Sequence, residues 1–427
     1  MLIRFRVANH RSICDEQELS FVAANLKEWP ENVVNVEKYG IELLRTVGIY
    51  GANASGKSTV LKALSFMQTA VMHSQRSWEP TSGIPREPFL LNPNKTHEPS
   101  LFEVDFLIED IRYTYGFVVT SEKVLEEWLY AYPQGNKQKW FVRDSSEFTF
   151  SRFLSGENKA IQSLTRANSL FLSAAAQNNH SLLLPIFKWF SNGIKFASEH
   201  SPEMLESRAA SSYHLSKHKS GIIELLKSAD LGISDIEIEE EGMEEEVAKI
   251  FDIFFSDNPD ELKRLKGSKL QRASFQHSIK GKKNSVSFPF SDESRGTQVL
   301  FCLAGEIIQT LHKGEILCVD ELDASLHPLM AVELVKLFND PSKNPNNAQL
   351  LFNTHDTNIL EYGNLRRDQI WFTEKDVNGA THLYPLTDYK PRKEENVKRG
   401  YMQGRYGGVP FIRTPETLFQ GEANGKS

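Results

Sequence analysis

Apolar and charged residues alternate at the start of the chain. Ile3-Arg-Phe-Arg-Val7 and Glu18-Leu-Ser-Phe-Val22 each repeat with the two-residue period of a half-buried strand and predict an opening hairpin. Thr46-Val-Gly-Ile-Tyr50 is a near-continuous apolar run, and Lys57 to Met67 after it has the spacing of an amphipathic helix. Residues 74 to 100 are rich in Pro, Ser, Asn and charge and predict a long excursion. Runs at 101–108, 112–119 and 124–132 read as an antiparallel meander. Helical patterning dominates from about 159 to 230, and Ser234 to Glu239 reads as a strand leading into an acidic helix. Late in the chain, Glu315-Ile-Leu-Cys-Val-Asp320 and Ala348-Gln-Leu-Leu-Phe-Asn353 are short buried-strand runs, separated by a helical stretch at 328–339.

These elements predict an α/β fold whose core is split, with its first strand near the start and the partner strands near the end. The expected division is 1–150 for the first half of the core with an antiparallel β-lobe and 151–290 for an inserted, mainly helical lobe. The second half of the core would be 291–390, and 391–427 a C-terminal extension. No internal repeat or heptad run of coiled-coil length interrupts the pattern.

Composition narrows the classes. The 427 residues, 40% hydrophobic and 25% charged, suit a globular protein of more than one lobe, and no apolar run reaches membrane-spanning length. The start reads as a strand and not as a signal peptide. Cys14, Cys302 and Cys318 lie far apart without metal or redox spacing, which points to a reduced cytoplasm. A net charge of -7 argues against a generally basic nucleic-acid coat.

Candidate chemistry centres on Gly51-Ala-Asn-Ala-Ser-Gly56-Lys57-Ser58, a phosphate-binding loop between the predicted strand and helix. Its glycines let several amides face one anion at the positive end of the helix. The spacing assigns Lys57 to the β- and γ-phosphates of ATP or GTP and Ser58 to Mg²⁺, with Gly51, Asn53, Ser55, Gly56 and Thr59 as further nucleotide contacts. The second motif is Ile316-Leu-Cys-Val-Asp320-Glu321, an apolar strand ending in two carboxylates. Asp320 suits a grip on Mg²⁺ beside Ser58, and Glu321 suits polarisation of the attacking water. An acidic strand cap is the plain alternative.

Asp320-Glu-Leu-Asp323-Ala-Ser-Leu-His327-Pro328 resembles the region where ATPases of the ABC superfamily run into their D-loop, and its His-Pro ending is similar to the SMC, RecF and OLD branch. The resemblance places Asp323 at a dimer contact. It makes His355, in Leu350-Leu-Phe-Asn-Thr-His355-Asp356, the switch histidine facing the γ-phosphate. Ser294-Arg-Gly296 before a helix resembles the ABC signature, which meets a nucleotide held by another subunit. Glu293 and Thr297 depart from that pattern, and an N-capped helix is the alternative.

In order, these elements resemble compact SMC/RecF-like ABC ATPases, and more closely the RloA and AriA type found in anti-phage operons. Asn9-His-Arg-Ser-Ile13, similar to the family's Asn-Phe-Arg-Ser-Phe, and Gln403-Gly-Arg-Tyr-Gly407 extend the likeness over nearly the whole chain. The resemblance implies a cytoplasmic ATPase forming ATP-sandwich homo-oligomers. It also implies a separately encoded effector, such as a TOPRIM-type nuclease, and a trigger such as a phage protein.

A RecF-like DNA-repair clamp is the alternative. Its support is Lys263, Arg264, Lys266, Lys269, Arg272, Lys280, Lys282 and Lys283, close to the acidic stretch 237–246. Two solvated faces explain the same charges. Lys390 to Arg413 mixes cations with Tyr401, Tyr406 and Phe411, and suits either a partner surface or a segment wrapped back on the core.

Overall fold

β1 (Leu2–Ala8) and β2 (Gln17–Ser20) form the expected hairpin, with Phe5 opposite Leu19. β3 (Val33–Val36) and β4 (Ile41–Leu44) make a two-stranded ribbon ahead of β5 (Thr46–Gly51), and α1 (Lys57–His73) follows the loop. The excursion after α1 carries neither helix nor strand until the meander, which is β6 (Ser100–Ile108), β7 (Ile111–Val119), β8 (Val124–Tyr132), β9 (Gln138–Asp144) and β10 (Glu147–Phe150). This meander and the opening hairpin share one antiparallel sheet, ordered β10-β9-β8-β7-β6-β1-β2. The computed structural model describes residues 1–197, 202–229, 232–241, 270–279, 285–392 and 394–409.

Helices α2 (Asn158–Leu164), α3 (Phe171–Gln177) and α4 (Leu184–Gly193) pack on that sheet. The join is made by Glu127 on β8, whose carboxylate accepts the Phe171 and Leu172 amides (2.7 and 3.0 Å) at the start of α3. Phe171, Ile186 and Phe190 share one apolar cluster with Val60 and Leu64 of α1.

The second large sheet is the core. Its order is β11 (Ile194–Ala197), β15 (Ile316–Val319), β16 (Gln349–Asn353), β5, β17 (Ile370–Lys375) and β18 (Thr381–Pro385), parallel throughout except for β18. A smaller antiparallel sheet joins β12 (Ile233–Glu241), β13 (Leu270–Ser278) and β14 (Ser285–Pro289). Around these lie α5 (Pro202–Leu215), α6 (Lys219–Ser228), α7 (Arg295–Lys313), α8 (Pro328–Asn339), α9 (Asn358–Tyr362) and α10 (Val397–Met402).

One sequence expectation changes. Among the described residues of 159–230 the regular elements are helices except for β11, four residues that become a strand by pairing with Ile316 to Val319 at the sheet edge. So short a run carries no periodicity of its own, and tertiary pairing decides it. The acidic helix after Glu239 falls outside the described residues, as do all members of the basic cluster but Arg272. That guanidinium pairs with Glu206 (2.8 Å).

His10 is 1% exposed, its ring nitrogens lack a hydrogen-bond partner, and it packs against Phe66 and Phe102 with ring centroids 5.7 and 5.4 Å away. Burial first, and Arg11 second, lower its pKa from 6.5 to about 4. The folded state therefore refuses a proton that the unfolded chain accepts, so this contribution is complete above pH 6.5 and is lost as pH falls toward 4. From the shift, parent protein should lose on the order of 3 kcal/mol across that window. Urea unfolding at pH 7 and pH 4.5 should show a smaller loss in His10→Phe, and equal losses would refute the assignment.

Candidate functional site

The carboxyl ends of β5, β15 and β16 point to one place, where open α/β sheets bind ligands. The loop between β5 and α1 lines a cleft of about 770 Å³ with Asn53, Ala54, Ser55, Gly56, Lys57, Ser58 and Thr59. Arg11, Ser12, Glu321, Asp323, Ala324, His355 and Lys375 complete its lining. Motifs far apart in sequence thus share one cavity.

Gly56 precedes α1 with φ +111, and a Cβ there would lie 2.2 Å from Thr381 Oγ1, so only glycine fits. No side chain caps α1 at Gly56, leaving its first amides for a ligand. Lys57 Nζ folds back to donate to the Gly51 and Ala52 carbonyls (2.9 and 3.1 Å). Burial lowers its pKa from 10.5 to about 8, while Glu321, Asp323 and Asp320 act in the opposite direction. The ammonium is therefore still charged at pH 7.

Hydroxyls fasten the loop to its surroundings. Ser55 Oγ lies 2.6 Å from Thr373 Oγ1 on β17, and Thr59 Oγ1 lies 2.9 Å from Ser12 Oγ. Thr381 Oγ1 donates to the Ser55 carbonyl and shares a hydrogen bond with Ser12 Oγ, both at 2.9 Å. Ser55 and Thr59 thus hold the loop's shape while lining the cleft.

The carboxylates are organised by a residue that sequence reasoning did not single out. Asn353, fully buried at the end of β16, donates from Nδ2 to Asp320 Oδ1 (2.5 Å), and the same nitrogen lies 3.5 Å from Ser58 Oγ. Its Oδ1 accepts the backbone amide of Glu321 (2.6 Å). Glu321 sits at φ +58, a left-handed conformation that costs a non-glycine residue about 1 kcal/mol. The Asn353 bond holds it there, with its exposed side chain at the cleft. Asn353→Ala is expected to lower stability by about 2 kcal/mol through the buried bonds it leaves unmade. Parent-like urea unfolding of the variant would show that these bonds do not hold the carboxylate loop.

Asp323 turns toward its own chain. Its Oδ1 accepts the Thr354 hydroxyl (2.5 Å) and the His355 amide (3.2 Å), which fixes the histidine loop against the loop after β15. The His355 ring is exposed at the cleft, and its pKa is lowered, first by partial burial and then by Lys57, while Asp323 and Glu321 oppose this. His327 caps α8 by accepting the Leu329 amide at Nδ1 (3.3 Å).

Ser294 and Gly296 are absent from the cleft lining. Ser294 caps α7, with its hydroxyl accepting the Thr297 amide (3.2 Å), and Glu293 hydrogen-bonds His277 (2.6 Å). A Cβ on Gly296 would come 3.0 Å from the Ser325 carbonyl, so this helix start abuts the loop containing Asp323. Two cations also escaped the sequence reading. Arg11 and Lys375 reach the cleft from the turn after β1 and from the end of β17. Arg11 lies within the Asn9-to-Ile13 motif and Lys375 ends β17, and neither position marks a cleft residue in sequence.

The split parallel core with its phosphate loop, the antiparallel β-lobe and the further helical and strand elements define an α/β fold of the P-loop class. The sequence profile of the family described as "AAA domain, putative AbiEii toxin, Type IV TA system" matches residues 47–361, and the chain belongs to that family. No curated protein matches it. A solved structure described as "Crystal structure of the SmcHead bound to the C-winged helix domain of ScpA" is similar at 13% identity, covering 90% of this chain and 97% of that one, with a TM-score of 0.40. Among the described residues no helix is long and apolar enough to cross a membrane.

Proposed function

We propose that this chain binds and hydrolyses ATP and that two copies clasp the nucleotide between them. The observation that carries this reading is the single cleft that collects the phosphate loop, Glu321, Asp323 and His355 while Ser294 and Gly296 remain outside it. Lys57 and the loop amides bind the β- and γ-phosphates, and Arg11 and Lys375 add positive charge at the lip. Glu321 orients the attacking water and takes its proton. His355, kept neutral at pH 7, can hydrogen-bond the γ-phosphate side. Ser58 and Asp320 present hard oxygen donors held together through Asn353, a set that fits Mg²⁺. When bound there, Mg²⁺ offsets the charge of the β- and γ-phosphates.

Ser294 and Gly296 would complete the site from a second copy, with the α7 start supplying amides to its nucleotide. Ser294→Arg should therefore bind ATP as the parent does but fail to associate on its addition. Sedimentation velocity with and without ATP checks this, and ATP-dependent association of the variant would refute the composite site.

In the cell, this ATPase would act in the cytoplasm as sensor and regulator of a separately encoded effector, with a nuclease as the first candidate, in anti-phage defence. Membership of a family described by a toxin of a type IV toxin–antitoxin system supports placing it in a conflict system. Affinity capture from the native host with and without ATP tests this. Recovery of a nuclease supports the reading, and recovery of replication or repair factors alone would favour the DNA-repair clamp.

A further inference from the structure

The last described segment, 394–409, lies against the back of the phosphate loop. Tyr401 on α10 is buried, stacks on Phe372 (5.3 Å between centroids) and meets Tyr50 edge-on (6.2 Å). Phe372 and Tyr50 belong to the two strands that carry the loop, β17 and β5, where Thr373 is in register with Gly51. The Tyr401 hydroxyl donates to the Gly408 carbonyl (3.2 Å). Burial raises the pKa of this phenol, and hydrogen bonding from the Gly51 backbone acts in the opposite direction. Gly408, at φ +66, runs directly past the loop, since a Cβ there would lie 3.6 Å from Gly51 Cα and 3.5 Å from the Thr373 carbonyl.

The same helix also holds the element that follows His355. Lys398 Nζ donates to Glu361 Oε2 (2.7 Å) and Asn358 Oδ1 (3.0 Å) on α9, the helix that follows the His355 loop. The start of the strap is itself fixed. Asn396 caps α10 by accepting the Arg399 amide (2.7 Å), and Tyr406 donates to Glu395 (2.9 Å).

We propose that residues 396–408 form a positioning strap for the nucleotide loop, in which Tyr401 and Gly408 fix Gly51 from behind and Lys398 ties the same strap to the element following His355. The inference rests on the nucleotide-binding reading above. Tyr401 does not line the cleft and so acts through Gly51 as a positioning residue. A loop braced from behind presents its amides in the geometry that phosphate needs. An unbraced loop must be ordered at the moment of binding, and affinity falls accordingly.

The test uses the full chain with a fluorescent ATP analogue, steady-state hydrolysis and thermal melting. Tyr401→Phe keeps the ring but leaves the Gly408 carbonyl without its donor, so Kd and KM should rise about tenfold with kcat within about twofold. Its melting temperature should stay within about 4 °C of the parent. Gly408→Ala should move the constants the same way, because alanine is strained at a positive φ. Parent-like Kd and KM in both variants would overturn the strap. So would an affinity loss accompanied by a fall of more than about 10 °C in the melting temperature of Tyr401→Phe, which marks a purely structural role. A parent chain that leaves the analogue unbound would overturn the nucleotide reading itself, a result plainly distinct from parent-like variants.

Discussion

Lys57→Ala should raise the Kd for ATP by about a hundredfold or more, which in practice abolishes binding. The ammonium is the one buried cation inside the loop, held by the Gly51 and Ala52 carbonyls beneath the α1 amides. A charge-assisted bond from such a group to phosphate contributes on the order of 3 kcal/mol, and alanine supplies none of it. The shifted pKa adds a second signature. With a free-state value of about 8, Lys57 loses its proton as pH rises through 8, far below an ordinary lysine. Bound phosphate favours the charged form, so binding above that point requires proton uptake and affinity should fall between pH 8 and 10. Isothermal titration of parent and variant across that range reads both effects. A variant that binds like the parent would dismiss Lys57 from the site.

Glu321→Gln should lower hydrolysis by at least about a hundredfold while leaving ATP binding intact, because glutamine keeps the shape but cannot take the proton of water. The side chain is exposed at the cleft, and its backbone is pinned in a left-handed conformation by Asn353, so the substitution leaves the local fold undisturbed. Binding without turnover should trap the ATP-bound oligomer, visible as a larger species in size-exclusion chromatography with ATP. Turnover at the parent rate would show that another group orients the water.

Much of this arrangement is legible in the sequence, because the loop, the two carboxylates and the histidine each end a short apolar run. A buried strand has few ways to place such residues except at one edge of a sheet. Asn353 is illegible for the same reason that it matters. An asparagine ending an apolar run looks like a strand terminus, and only the fold shows that it spans Ser58, Asp320 and Glu321. Asp323 is legible only in part, because the bonds its carboxylate accepts from Thr354 and His355 of its own chain leave no mark in the sequence. β11 is hidden because four residues hold no period. The segment around Tyr401 left both readings open in sequence, since exposed and buried tyrosines are written alike, and packing on Phe372 decides for the core.

The order of the core sheet sets a timetable for biosynthesis. β5 lies between β16 and β17, so the strand that leads into the phosphate loop emerges from the ribosome long before either neighbour exists. Until the last third of the chain arrives, both edges of β5 lack their native partners and its carboxylates are still untranslated. A nascent copy therefore has the phosphate loop without the carboxylates that will face it, and its apolar strand needs shelter from chaperones or from the β-lobe in the meantime. The complete cleft is one of the last features this chain acquires.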